Sequence, residues 1–71
     1  MEPWQARLIG EKAELFGRIE LLSDFMDSPK RAELSTEEQL LLDMQLSTMK
    51  ALEAILCSRM AFYKLDKLGE K

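Results

Sequence analysis

The chain contains no histidine and no valine, and only one cysteine, two prolines and three glycines among its 71 residues. A single thiol, Cys57, cannot close an internal disulfide, and without histidine a structural zinc site lacks ligands. The same absence leaves Cys57 with no imidazole to activate it, so a small packed thiol in a reducing compartment is expected rather than a nucleophile. The missing valine belongs to a wider lack of strand signal, for apolar and polar residues nowhere alternate over a strand's length. No apolar run approaches the roughly 18 residues of a membrane span. The opening MEPWQARLIGEK also lacks a charged-then-apolar leader, so a soluble intracellular protein, with no membrane partner, is expected. A net charge of −3 argues against DNA as a partner, because nucleic-acid binders present a basic face. Phosphate loops, nucleophile elbows and metal spacings are missing, and the carboxylates sit at helical surface phases in pairs such as Glu14 with Arg18. The expectation is a protein that is not an enzyme, with no catalytic residues, no cofactor and no metal.

What is present is helical. Trp4, Leu8, Leu15, Ile19, Leu22 and Phe25 recur at spacings of three, four and seven, and Pro3 suits a first helical turn, so a helix is predicted from about 3 to 26. The segment DSPKRAEL interrupts it, since Ser28 precedes a proline and Asp27 and Ser28 favour turns. A second helix opens at LSTEEQ, with Ser35 as cap and Glu38 three residues on, and runs without a breaker from about 35 to 68. Gly69 would stop it, and Lys64, Lys67 and Lys71 would complement its dipole. The fold class is therefore all-α: one domain, 1–71, built as an antiparallel two-helix hairpin. Folding back pairs Leu22 with Leu41 and Leu42, Leu15 with Met49, Leu8 with Ile55 and Leu56, and Trp4 with the surroundings of Arg59. The longer second helix would overhang with Tyr63, Leu65 and Leu68.

The second helix has more apolar surface than one partner can cover. Leu42, Met49, Leu56 and Tyr63 form a strict seven-residue row, flanked by Leu46, Leu52 and Met60. Leu41, Met44, Thr48, Ala51, Ile55 and Phe62 form another beside it. Adjacent helical residues point about 100° apart, so the run Leu40, Leu41, Leu42 cannot share one stripe. A chain this short also has a marginal core, and no staple compensates. Oligomerisation into a helical bundle, or a partner protein, is expected to cover the second row. The interface residues would be Leu41, Met44, Gln45, Thr48, Ile55 and Phe62, with the methionines as adaptable packing.

Three polar features compete as sites. Trp4, Gln5 and Arg7 fall near Arg59 and Tyr63 in the hairpin pairing, and Trp, Tyr and Arg can stack on or fork around a planar anion. Trp4 could instead cap the open end of the hairpin with Arg59 over its ring. Gln45 and Arg59 occupy apolar-stripe phases, where a polar residue fixes register; a buried Arg59 would need Glu11 or Glu14. Lys30 and Arg31 lie side by side near the start of the second helix, as an anion site or simply a solvated loop.

The ordering WQARLIGEKAEL, then Ile19, Leu22 and Phe25, then LSTEEQLLLDMQLSTM and LCSRM, resembles a family of small phage-encoded helical-hairpin proteins, the crAss-phage-related group. Trp4, Gln5, Arg7, Glu11, Leu15, Gln45, Met49 and Arg59 carry the likeness; members often have an aromatic where this chain has Leu52. The resemblance implies a phage accessory protein acting in the host cytoplasm without an assigned catalytic activity. In size and layout the chain is also similar to phage sponges, oligomeric hairpins that sequester the cyclic-nucleotide signals of bacterial immunity between subunits. One expectation is thus a counter-defence homo-oligomer holding a small nucleotide through Trp4, Arg7, Arg59, Tyr63, Lys30 and Arg31. The other is an interaction module that inhibits a host or phage protein through the second row.

Overall fold

The computed structural model describes residues 2–65. Helix α1 spans Pro3–Met26, a 3-10 turn η1 covers Pro29–Glu33, and helix α2 spans Thr36–Phe62. No strand occurs among the described residues. The helices fold back on each other in an antiparallel hairpin, so that Trp4 near the start of α1 meets Tyr63 at the end of α2.

Local chemistry accounts for each boundary. Before α1, the Glu2 N–H donates to Gln5 Oε1 at 2.7 Å, and Pro3 occupies the first turn where its missing N–H has no helical partner. Gln5 is thus engaged as a cap. At the hairpin turn, Ser28 is extended ahead of Pro29, and its hydroxyl donates to the Phe25 carbonyl at 2.7 Å. Ser35 then caps α2, its Oγ accepting from the Glu38 N–H at 3.1 Å.

The end of α2 departs from expectation. The helix stops at Phe62 instead of continuing to about Leu68, because Lys64 adopts a positive φ of 61° and the chain turns back. Left-handed backbone terminates a helix by turning the next N–H groups onto the last carbonyls. Here the Tyr63 N–H reaches the Arg59 carbonyl and the Lys64 N–H that of Ala61, both at 3.0 Å. The turn carries Leu65 into the core, where it is 6% exposed. Tyr63 and Leu65 of the expected overhang are therefore folded over the open end of the hairpin. Lys67, Leu68, Gly69 and Lys71 lie outside the described residues.

Leu8, Leu15, Ile19, Leu56 and Leu65 form the core, with Ile9, Leu46, Met49 and Met60 packed against it. Met26 is buried at the turn. The pairing of Leu8 resolves onto Leu56, while Ile55 is 57% exposed. Of the residues assigned to the inner row, Leu52 is exposed, at 43%. No side chain in this core is completely sealed from solvent, as expected for so short a chain. The outer row is uncovered in the single chain, with Leu41, Met44, Ile55 and Phe62 all exposed.

Candidate functional site

The groove at the open end of the hairpin is built by α2. Residues 55, 58, 59 and 62 recur at spacings of three, one and three, which places them on one helical face. With Ala54 and Tyr63 they line an open groove of about 420 Å³, within the range of roughly 300–1,000 Å³ typical of small-molecule sites. Its walls are apolar apart from the Ser58 hydroxyl, the Tyr63 phenol and the Arg59 guanidinium.

The aromatic residues at this end form a chain. The Trp4 and Tyr63 ring centroids lie 4.7 Å apart at 69°, and those of Tyr63 and Phe62 lie 5.2 Å apart at 85°. Edge-to-face pairs of this kind contribute about 0.5–1.5 kcal/mol beyond area burial, so Trp4 fixes the Tyr63 ring and thereby one wall of the groove. Trp4 holds Tyr63, not Arg59. Arg59 is exposed, contrary to a buried register role, and no described salt bridge engages it. Among the described residues nothing occupies its guanidinium, a fork of donors that suits a ligand bringing its own negative charge.

The other candidate residues lie elsewhere. Arg7 lines a separate cleft of about 390 Å³ with Gly10, Glu11 and Glu14, where two carboxylates oppose an anion. Lys30 is exposed at the turn, about 36 Å along the hairpin from the aromatic cluster given the length of α1. Arg31 is half-exposed but not a free loop cation. Its Nη2 donates to Asp43 Oδ2 at 3.0 Å and its Nε to Gln39 Oε1 at 3.1 Å, while Gln39 Nε2 donates to the Leu34 carbonyl at 3.0 Å. These bonds strap η1 onto α2, a structural task the sequence did not reveal, since its partners lie eight and twelve residues away.

Of the six candidate ligand residues, the structure brings together Trp4, Arg59 and Tyr63. It adds Ile55 and Phe62, expected at the interface, and Ala54 and Ser58, which no motif singles out. Their helical spacing with Arg59 was the available signal. Gln45, the other polar residue expected to set register, is exposed and donates to Met49 Sδ at 3.8 Å. Glu14 and Arg18 form the expected surface pair at 3.8 Å. Among the described residues there is no cluster of three potential metal ligands, and no helix is long and apolar enough to cross a membrane.

A family model described as Sequestin matches residues 2–62, which includes both helices and the Arg59 face of the groove. The chain belongs to the Sequestin family. No curated protein and no solved structure matches it. The Sequestin match ends at Phe62, the last residue of α2, so Tyr63 and the Lys64 turn lie just past it.

Proposed function

We propose that this member of the Sequestin family is a binding protein that sequesters a small anionic ligand of nucleotide type, and that it does so as a phage counter-defence protein in the bacterial cytoplasm. The observation that carries this reading is the groove at the open end of the hairpin. It presents an arginine that forms no salt bridge among the described residues, beside the Phe62 and Tyr63 rings, with Trp4 bracing the latter. A guanidinium matches the paired oxygens of a phosphate, and aromatic faces match a nucleobase. The family's name is consistent with capture. Ligand binding between copies of the chain would close a groove that one chain leaves open.

A thermal-shift screen with cyclic dinucleotides, cyclic trinucleotides and ADP-ribose derivatives tests the reading. A ligand present at a hundredfold its Kd stabilises the folded state by about 2.7 kcal/mol, a readily measured rise in melting temperature. A screen across those classes that moves nothing overturns the nucleotide reading.

A second reading rests on the uncovered outer row, with Leu41, Met44 and Ile55 each more than half exposed. That face suits capture of a host or phage protein. Replacing Leu41 and Met44, which lie outside the Arg59 groove, by glutamate would abolish recovery of such a protein.

A further inference from the structure

We infer that the outer face of α2 is a docking surface for a second copy of the same chain, laid antiparallel across it. The proposal deepens the oligomeric part of the proposed function, and its test requires no nucleotide.

The face has the pattern of a helix-pairing seam. Leu41, Thr48, Ile55 and Phe62 repeat every seven residues, and Met44, Ala51 and Ser58 sit three residues after the first three of them. All seven are exposed, and the face lies away from the one that packs on α1. The row at every seventh residue, Leu41 to Phe62, also maps onto itself when reversed. A two-fold axis between Ala51 and Leu52 sets Leu41 opposite Phe62, Gln45 opposite Ser58 and Thr48 opposite Ile55. Leu41 then meets Phe62, the Thr48 methyl meets Ile55, Gln45 and Ser58 meet each other, and Met44 lies along the aliphatic stem of the partner's Arg59.

Shape and charge select the same orientation. Phe62, 81% exposed, is the most prominent apolar side chain of the row. Near the other end, Leu34, Glu38, Leu41 and Leu42 line an apolar cleft of about 320 Å³ able to receive such a ring. Glu37 and Glu38 stand at the start of α2, and Arg59 and Lys64 at or just past its end. Antiparallel docking brings the acidic end of each copy toward the basic end of the other. Parallel docking would stack Arg59 on Arg59 and glutamate on glutamate. In the antiparallel arrangement the partner copy supplies the far wall of each Arg59 groove, and the two Arg59 positions are about 22 Å apart along the seam.

Single-cysteine variants treated with a short bis-maleimide cross-linker distinguish the arrangements. In a Cys57→Ser background, Ala51→Cys should cross-link to itself, because it lies beside the two-fold axis. Leu41→Cys and Phe62→Cys should each fail to self-link, since like positions are about 32 Å apart along the seam, yet should join efficiently when mixed. Self-linking of Leu41→Cys and of Phe62→Cys would show a parallel seam, where like positions are about 10 Å apart, and would overturn the proposal. Absence of linkage at all three positions, with helical content intact by circular dichroism, would overturn it as well. Nucleotide binding with no cross-linking would leave the proposed function standing, whereas the expected cross-links without nucleotide binding would remove only the ligand.

Discussion

Leu56 and Ile55 are neighbours in the chain with opposite surroundings, and truncating each in turn separates the two faces of α2. Leu56 is 2% exposed and packs with Leu8, Leu15 and Leu65, so Leu56→Ala removes three carbons from a core that has few other members. Large-to-small changes at buried leucine cost about 2–5 kcal/mol, the cavity adding to the lost transfer energy. Taking about 3 kcal/mol, and about 4–8 °C per kcal/mol for a domain of this size, the melting midpoint should fall by roughly 12–24 °C. That is most of the stability such a chain is expected to have. Ile55→Ala removes methyl groups that already face solvent, and within one chain should cost less than about 1 kcal/mol. The assay is thermal unfolding followed by circular dichroism, repeated over a hundredfold range of protein concentration. The Leu56→Ala deficit should persist at every concentration. Any Ile55→Ala deficit should shrink on dilution, because that side chain is covered only by another copy. An Ile55→Ala deficit as large as that of Leu56→Ala at the lowest concentration would refute the assignment of the two faces.

Other substitutions probe single features. Lys64→Gly should raise stability by about 0.5–1 kcal/mol in chemical denaturation, since glycine tolerates the left-handed backbone at φ 61° better than a side chain does. Arg31→Ala should cost about 1 kcal/mol by the same assay, because its bonds to Asp43 and Gln39 are half-exposed, and should leave nucleotide affinity unchanged. Ser35→Ala should lower stability by about 1 kcal/mol through loss of the α2 cap, read as a lower midpoint with an unaltered denaturant slope. Trp4→Ala should weaken nucleotide binding severalfold in a titration without abolishing it, because Trp4 supports Tyr63 from behind rather than lining the groove itself.

The architecture was legible because independent signals agreed. Apolar spacing gave the helical period, Pro3 and Ser35 with Glu38 marked the two starts, and Ser28 before Pro29 marked the break. The uncovered row from Leu41 to Phe62 was legible too, since two neighbouring seven-residue repeats cannot both face one helix. The end of α2 was not. Nothing local marks Lys64 as a left-handed position, and what favours the turn is burial of Leu65 against a core assembled from distant residues. Arg31 was hidden for the same reason: whether a loop cation is solvated or bound depends on which side chains the turn brings beside it. The open-end cluster was half legible. Antiparallel pairing brought Trp4 and Tyr63 together, but the contact of Trp4 with Tyr63 rather than with Arg59 depends on side-chain packing that spacing does not specify.

The most direct test of the account is isothermal titration of the nucleotides that raise the melting temperature, into the unaltered chain and into Arg59→Ala. Saturable binding by the unaltered chain is predicted, weakened about a hundredfold in Arg59→Ala, which corresponds to about 2.7 kcal/mol for a charged anchor at a hot spot. Equal affinity in the two proteins, or no binding by the unaltered chain, would contradict the claim that this groove captures a nucleotide.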